Sequence, residues 1–132
     1  MDAGPTLPSR GRILVADDEP HIRRILATVL GSAGFAVSEA TDGDEALAAL
    51  EAPQAPDLLI LDLMMPRMSG LEVLSRIRER PLHRRTPVIV LTAKGQDADM
   101  QAALSAGADD FMTKPFSPKK LLSRIQEILS ER

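Results

Sequence analysis

Acidic residues directly follow two of the most apolar runs in the sequence. Asp17 and Asp18 come after the run Ile13–Ala16, and Asp62 comes after the run Leu58–Leu61. Three carboxylates that lie close together either raise the pKa of one of them or recruit a cation. Carboxylate oxygens without nearby His or Cys ligands favour Mg²⁺ over zinc, so these residues predict a magnesium site if the two runs are neighbours.

A hydroxyl group and an amine follow two further segments of this kind. Thr92 ends the run that begins at Val88, and Lys114 follows Asp110–Thr113. The oxygens of a phosphoryl group require a cation and hydrogen-bond donors, which a lysine and a threonine supply. Together with the acids, these residues favour a Mg²⁺-assisted phosphoryl site in which one carboxylate acts as the nucleophile.

Each of these residues also has an ordinary structural interpretation. Acids that precede a helix, such as Asp17, Asp18 and Glu19, are typical of an N-cap that complements the helix dipole. An aspartate at the end of a strand is often a turn residue, a lone threonine is often a cap, and a lone lysine is usually a solvated charge. The joint placement of these residues at the ends of four predicted strands favours the functional interpretation.

The apolar runs predict five strands. Three segments are continuously apolar, namely Ile13–Ala16, Leu58–Leu61 and Val88–Leu91. Continuous apolar runs are typical of strands that are buried on both faces of a parallel sheet. Two weaker segments, Ala36–Ala40 and Asp110–Thr113, contain polar residues and are expected at the edges of the sheet.

Segments with apolar residues at helical spacing separate these strands. The alternation predicts an α/β protein with a flavodoxin-like (βα)5 fold, a three-layer sandwich around a parallel five-stranded sheet of order 2-1-3-4-5. The first and third strands are neighbours in that order, so Asp17, Asp18 and Asp62 would share one edge of the sheet. The weakest apolar face belongs to the fourth helix and comprises Met100, Ala103 and Leu104. Helix ends are expected at Gly31, Gly34 and Gly107.

Length and composition exclude several classes of protein. The 132 residues suffice for one domain, predicted over residues 12–132 after a disordered arm of residues 1–11. The absence of cysteine excludes disulfides and thiolate metal sites. Three phenylalanines are the only aromatic residues and the net charge is −3, which argues against direct nucleic-acid binding. Because no apolar run is long enough to cross a bilayer and no signal peptide is recognisable, we expect a cytoplasmic protein.

Four segments of the sequence together resemble the receiver domain of two-component response regulators. They are Ile13–Pro20 (ILVADDEP), Leu61–Gly70 (LDLMMPRMSG), Val88–Lys94 (VIVLTAK) and Ala106–Phe116 (AGADDFMTKPF). Each segment alone is moderately specific, whereas all four in this order and spacing are highly specific. The resemblance covers residues 12–131, which is nearly all of the chain outside the predicted arm.

The resemblance implies a role for each residue of the site. Asp62 matches the phosphoacceptor, whose carboxylate attacks the phosphorus of a phosphohistidine on a partner protein. Asp17 and Asp18 match the acidic pair that holds Mg²⁺, together with Asp62 itself and the backbone carbonyl of Met64. Lys114 would pair with the acceptor and then with the phosphoryl oxygens.

The resemblance also implies a conformational switch. Thr92 would close onto the phosphoryl group after transfer, and the ring of Phe111 would then turn inward. The peptide bond between Lys114 and Pro115 resembles the cis peptide of the family. The signal would leave through the face formed by the fourth helix, the fifth strand and the fifth helix.

These roles imply a phosphorylation-dependent signalling switch that turns over no external substrate. Its phosphoryl donor would be a sensor histidine kinase or a histidine phosphotransfer protein, and its effector would be another protein. A homodimer through the face formed by the fourth helix, the fifth strand and the fifth helix is a further candidate arrangement, in which Asp109 or Asp110 would pair with Arg124. Alternatively, the chain is the N-terminal receiver fragment of a longer DNA-binding or enzymatic response regulator.

Two other functions are compatible with the same fold. A Mg²⁺-dependent phosphohydrolase that forms an aspartyl-phosphate would carry a second aspartate two residues after the nucleophile, where this chain has Met64. A flavin or nucleotide binder would carry a glycine-rich loop after the first strand, where this chain has three acids. Met64 and Lys94 are expected to flank the phosphoryl site, and an apolar Met64 cannot orient an attacking water, which predicts slow autodephosphorylation.

Overall fold

A parallel five-stranded sheet forms the centre of the molecule. The computed structural model describes residues 10–93 and 97–131. The strands are β1 (Arg12–Ala16), β2 (Ala36–Ala40), β3 (Leu58–Leu61), β4 (Val88–Thr92) and β5 (Asp110–Thr113). They pair in the order β2-β1-β3-β4-β5, and each pair is parallel. The predicted flavodoxin-like order is therefore confirmed.

Helices cover both faces of this sheet and produce the three predicted layers. They are α1 (Pro20–Ser32), α2 (Gly43–Glu51), α3 (Gly70–Arg78), α4 (Asp97–Ser105) and α5 (Pro118–Ser130), with a short 3₁₀ helix at Pro81–His83. The apolar residues of α1 and α5 pack on one face of the sheet, and those of α2, α3 and α4 pack on the other.

The burial of the strands follows from their composition. Every residue of β3 and β4 is buried, and β1 is buried from Ile13 onward, whereas β2 and β5 are largely half-buried or exposed. Successive residues of a strand point to opposite faces, so Leu14 joins the core under α2 and α3 while Val15 joins the core under α1 and α5. The carboxyl ends of the buried central strands are thus held by the core, and site residues follow directly after them.

Two of the three helix ends predicted at glycines agree with the structure. Ser117 caps α5 by accepting a hydrogen bond from the backbone N–H of Lys120. Gly34 and Gly107 have φ angles of 99° and 109° and follow α1 and α4. The helix end predicted at Gly31 is wrong, because α1 continues to Ser32 and the left-handed turn occurs at Gly34 instead.

Helices α4 and α5 flank the same edge strand but are anchored differently. Helix α5 buries three aliphatic side chains, those of Leu121, Ile125 and Ile128. In α4 only Ala103 is buried, and Leu104 is 41% exposed. The prediction of a weak apolar face on the fourth helix is confirmed.

The described N-terminal residues lie against the edge of the sheet. The N–H of Arg10 donates to the carbonyl of Gly34 at 2.9 Å, and the N–H of Ala36 donates to the carbonyl of Gly11 at 2.9 Å. Arg10 and Gly11 therefore continue the pairing between β1 and β2 toward the N-terminus, although the sequence analysis assigned them to the disordered arm. The rest of the predicted arm, residues 1–9, lies outside the described residues. Within the described ranges, the apolar stretch that a membrane-crossing helix requires does not occur.

Candidate functional site

Two buried aspartates stand side by side where β1 and β3 end. Ala16 and Leu61 are partners in the register of these strands, so the residues that follow them emerge together. The N–H of Asp62 donates to the carbonyl of Ala16 at 2.9 Å, which fixes the turn after β3. The side chains of Asp17 and Asp62 are only 3% and 4% exposed. Two carboxylates are thus held at the boundary between the core and solvent.

A third acid completes a group of carboxylates that can hold a cation. Oxygen atoms of Asp17, Asp18 and Asp62 all lie within 4.8 Å of one another, and Asp18 is exposed. Hard oxygen donors that open to solvent on one side suit Mg²⁺, which keeps several waters in its coordination shell. In the described part of the chain, no other group of His, Cys, Asp or Glu side chains converges in this way. The three predicted acids therefore fit the ion that the sequence predicted.

Lys114, which directly follows the end of β5, reaches this group of carboxylates. Its backbone N–H donates to the carbonyl of Thr92 at 2.8 Å, and the peptide bond to the next residue, Pro115, is cis. The Lys114 Nζ lies 2.7 Å from Asp17 Oδ2, 2.9 Å from Glu19 Oε1 and 3.4 Å from Asp62 Oδ2. One ammonium group thus contacts three carboxylates from two loops.

The charges of the site do not balance. Burial, and secondarily the charge of Asp62, raises the pKa of Asp17, against the lowering effect of its hydrogen bond to Lys114. Burial disfavours the charge on Lys114, but hydrogen bonds to Asp17 and Glu19 and the charge of Asp62 outweigh it and raise the pKa of the lysine. A single lysine cannot neutralise this many carboxylates, so the electrostatics of the site favour a further cation, which the three acids could hold.

The loop after Asp62 closes tightly on the acceptor position. Asp62 Oδ1 accepts a hydrogen bond from the N–H of Met64 at 3.2 Å. The N–H of Gly70 donates to the carbonyl of Leu63 at 3.0 Å. A Cβ at Gly70 would lie 2.3 Å from the carbonyl oxygen of Asp62, so any other residue would displace the loop. Glycine at this position allows the start of α3 to approach the site.

Comparison with known proteins decides the family. The model of the response regulator receiver domain matches residues 13–126. The chain belongs to this family. The receiver is 47% identical over 119 residues to the transcriptional regulatory protein ResD of Bacillus subtilis. This alignment covers 89% of the present chain and 48% of ResD. It is 43% identical over 118 residues to the phosphate regulon transcriptional regulatory protein PhoB of Escherichia coli, with 89% of this chain and 51% of that protein covered.

Solved structures of other receivers have the same fold. The chemotaxis protein CheY4 of Vibrio cholerae superposes with a TM-score of 0.83 at 33% identity, covering 89% of this chain and 97% of that chain. The receiver domain of the Francisella response regulator 1452 superposes with a TM-score of 0.84 at 33% identity, covering 92% and 98%. The present chain spans about half the length of the curated relatives it matches, 48% and 51% for the two named above.

The structure of this receiver places the two predicted switch residues on neighbouring strands, the inner strand β4 and the edge strand β5. Thr92 is fully buried at the end of β4. Phe111 is half-buried on β5, opposite Val90 of β4, and packs against the core under α3 and α4. Lys94, which the sequence placed beside the site, lies outside the described residues.

Glu19 is a site residue that the sequence did not assign to Lys114. It occupies the N-cap position of α1 but makes no capping hydrogen bond with its side chain. Its N–H instead donates to Asp17 Oδ1 at 2.9 Å, and its carboxylate binds Lys114. The interpretation of these acids as an ordinary N-cap is therefore wrong for Glu19. Its position next to Asp18 was the available signal, but the contact joins residues 95 positions apart.

The acidic residues of the predicted dimer contact are paired within the chain. The Arg124 Nε donates to Asp110 Oδ2 at 2.7 Å. Asp109 Oδ2 accepts from the N–H of Val88 at 2.8 Å and lies 3.3 Å from Arg78 Nη2. In the single chain, Arg124 thus binds Asp110 rather than Asp109.

Proposed function

We propose that this receiver is a phosphorylation-dependent signalling switch of a two-component system or phosphorelay, with Asp62 as the phosphoacceptor. The observation that carries the proposal is the environment of Asp62. Its carboxylate is 4% exposed, lies 3.4 Å from Lys114 Nζ and belongs to a group with Asp17 and Asp18 whose oxygens are within 4.8 Å of one another. This arrangement presents a carboxylate nucleophile beside two sources of positive charge, a lysine and a cation site.

The phosphoryl transfer follows from these positions. A carboxylate oxygen of Asp62 attacks the phosphorus of a phosphohistidine, the P–N bond breaks, and the imidazole leaves with the electron pair and is protonated. Lys114 donates hydrogen bonds to the phosphoryl oxygens, and Asp17, Asp18, Asp62 and the carbonyl of Met64 would hold Mg²⁺. When bound, the ion would supply positive charge against the negative charge on the phosphoryl oxygens.

The phosphoryl group on Asp62 is proposed to be hydrolysed slowly, and the protein is proposed to turn over no external substrate. The side chain of Met64 is 54% exposed and carries no group that can orient or deprotonate a water. A phosphohydrolase of the aspartyl-phosphate type requires such a group two residues after the nucleophile. A signalling switch is therefore favoured over a hydrolase.

The signal is proposed to pass to the face formed by α4, β5 and α5, which we call the output face. Phe111 borders a cavity of about 470 Å³ on this face that is also lined by Met100 and Phe116. Helix α4 buries only Ala103, so its position depends on few contacts. Closure of Thr92 onto the phosphoryl group and rotation of Phe111 would change this surface.

The receiver is proposed to act in the cytoplasm, with a sensor histidine kinase or a histidine phosphotransfer protein as its phosphoryl donor. Two of the matched relatives are named transcriptional regulatory proteins and are about twice as long as this chain, 48% and 51% of their lengths being covered. A longer DNA-binding regulator is therefore one proposed context for this domain. Dimerisation through the output face is a second arrangement, in which the Asp110–Arg124 pair either stays within each chain or is exchanged.

Phosphate release separates the switch from the hydrolase. The protein is incubated with the small phosphodonor phosphoramidate, with Mg²⁺ or with EDTA, and phosphorylated protein and inorganic phosphate are followed over time. We expect the phosphorylated protein to accumulate only with Mg²⁺ and phosphate to appear at its slow decay rate. Asp44→Asn, an exposed aspartate of α2, is the matched control and should behave as wild type. Rapid phosphate release without accumulation, or modification that is unaffected by EDTA, would contradict the proposal.

A further inference from the structure

Arg67 has an unusual backbone conformation in the loop between β3 and α3. Its φ angle is 68°, and it is the one non-glycine residue with a positive φ among residues 10–93 and 97–131. The left-handed region is unfavourable for a residue with a Cβ, because the Cβ approaches the following carbonyl oxygen. Such a conformation persists only when surrounding contacts select it, and it is often found near functional sites.

The side chain of Arg67, which is 73% exposed, forms an ion pair with a buried acid. Arg67 Nη2 lies 2.6 Å from Asp42 Oδ2, and the side chain of Asp42 is only 7% exposed. The other oxygen, Asp42 Oδ1, accepts a hydrogen bond from the N–H of Glu45 at 2.9 Å and so caps α2. Because the cap fixes the carboxylate, the guanidinium of Arg67 is bound to a rigid anchor.

The start of α2 is packed directly against the same loop. A Cβ at Gly43 would lie 2.8 Å from Met68 Cβ and 2.8 Å from Val73 Cγ2. Met65 and Met68 are 8% and 9% exposed, so the loop is held by buried side chains on either side of Arg67. A change of backbone conformation at residue 67 must therefore move the neighbouring loop atoms or break this packing.

The loop returns from Arg67 to the acceptor residue. The N–H of Met68 donates to the carbonyl of Pro66 at 2.7 Å, and the N–H of Gly70 donates to the carbonyl of Leu63 at 3.0 Å. Leu63 and Met64 directly follow Asp62, and Gly70 lies against the Asp62 carbonyl. The conformation of residue 67 is thus linked through a few bonds to the backbone that borders the cation site.

We propose that Asp42 and Arg67 are positioning residues for the acceptor site. Their ion pair selects the left-handed conformation at residue 67 and so holds the loop that carries the Met64 carbonyl and closes on Asp62. Neither side chain contacts a reacting group. The proposal rests on the proposed function, because the Met64 carbonyl matters to the site only if Mg²⁺ binds there.

Substitutions at residue 67 separate backbone conformation from charge. Arg67→Ala loses the ion pair and keeps the unfavourable Cβ, whereas Arg67→Asn and Arg67→Gly lose the ion pair but tolerate the left-handed region. Mg²⁺ binding to the full chain is measured by isothermal titration calorimetry. We expect Arg67→Ala to weaken binding about tenfold, the lower end of the range for residues that orient metal ligands. Arg67→Asn should stay within about twofold of wild type, because asparagine adopts this conformation readily.

Two further variants test the partner and the specificity of the effect. In Asp42→Asn the amide oxygen still caps α2 while the charge that binds Arg67 is lost, so Mg²⁺ binding should weaken as in Arg67→Ala. Arg76→Ala removes an exposed arginine of α3 that pairs with Glu72 at 2.8 Å, and it should bind Mg²⁺ as wild type does. Wild-type affinity in Arg67→Ala, or equal weakening in Arg67→Ala and Arg67→Asn, would overturn the proposal.

Amide hydrogen exchange without Mg²⁺ makes this proposal testable separately from the function. The amides of Met68 and Gly70 should exchange faster in Arg67→Ala than in wild type, Arg67→Asn or Arg76→Ala. If wild type takes neither Mg²⁺ nor a phosphoryl group, the proposed function fails, and the exchange rates still decide whether the ion pair orders the loop. Unchanged exchange of both amides in Arg67→Ala would overturn the positioning role.

Discussion

Each end of the sheet holds a largely buried cation, but the two cations have different surroundings. At the carboxyl end, Lys114 is 9% exposed and lies among the carboxylates of Asp17, Glu19 and Asp62. At the amino end, the Arg78 side chain is 18% exposed and binds mainly neutral groups. The first cation has too many negative partners, and the second has its hydrogen bonds satisfied.

Arg78, in α3, joins the two segments that lead into β4 and β5. Its guanidinium donates to the carbonyl of Gly107 at 3.1 and 2.7 Å, to that of His83 at 3.0 Å and to that of Thr86 at 2.7 Å. One carboxylate, that of Asp109, lies 3.3 Å away. The His83 carbonyl also accepts from the N–H of Thr86 at 3.2 Å, so Arg78 adds a second donor there. The bonds of Arg78 to the Gly107 and Thr86 carbonyls satisfy acceptors outside the helices and strands, which stabilises the fold.

The difference shows which buried charge serves folding and which serves binding. Excess negative charge at the carboxyl end is a cost to the protein without a bound cation, and a cation that binds there can relieve it. Around Arg78, at the amino end, there is no comparable excess of negative charge that could attract a cation. Substitutions at the two ends should therefore change stability in opposite directions.

The largest expected effect is at the amino end. Arg78→Met should lower the free energy of unfolding by about 3 kcal/mol, because several carbonyls lose their donor at once. Urea denaturation measures this change. Arg76→Met, two residues earlier on the exposed side of α3, should cost less than about 0.5 kcal/mol. Equal losses in both variants would remove the distinction between the two ends.

A smaller effect of opposite sign is expected at the carboxyl end. Burial raises the pKa of Asp17 above its ordinary value of 3.8, so the ionised carboxylate opposes folding. Without Mg²⁺, Asp17→Asn should raise the free energy of unfolding by up to about 1 kcal/mol at neutral pH. With Mg²⁺, wild type should gain thermal stability and the variant should gain less. Destabilisation by Asp17→Asn in EDTA would contradict this account of the site.

The pH dependence of that effect has a defined sign. Since the pKa of Asp17 is raised in the folded chain, the folded state binds more protons than the unfolded state just above pH 3.8. Wild type should therefore lose stability relative to Asp17→Asn as the pH rises from this value through the raised pKa of Asp17, and the difference should then level off. Urea denaturation of both proteins across this range measures it. A difference that shrinks with rising pH would have the wrong sign.

The smallest effect is expected from the exposed partner of Lys114. Glu19→Gln should change the free energy of unfolding by less than about 0.5 kcal/mol, because exposed ion pairs contribute little. Glu39→Gln is a matched control, since both glutamates have side chains that are 44% exposed and each pairs with a largely buried basic side chain, Lys114 for Glu19 and Arg23 for Glu39. A loss above about 1 kcal/mol for Glu19→Gln alone would mean that Lys114 depends on Glu19 for its position.

The sequence predicted the strands, their order and the edge that carries the site because burial on both faces of the sheet leaves continuous apolar runs. The runs Leu58–Leu61 and Val88–Leu91 are buried throughout, and the polar residues after them mark the edge. The bonds of Arg78 and the contact between Glu19 and Lys114 leave no such signal, since long side chains join segments that are distant in sequence. The left-handed turn at Arg67 was also missed, because glycine or asparagine is the usual sign of that conformation.

The most direct test of the central claim is the location of the phosphoryl group. Wild type, Asp62→Asn and Asp44→Asn are treated with phosphoramidate and Mg²⁺ and analysed by intact-protein and peptide mass spectrometry. We predict one added phosphoryl group in wild type and in Asp44→Asn, located on the peptide that contains Asp62, and none in Asp62→Asn. Phosphorylation of Asp62→Asn to the wild-type extent, or a phosphoryl group on another residue of the wild-type protein, would contradict the assignment of Asp62 as the acceptor.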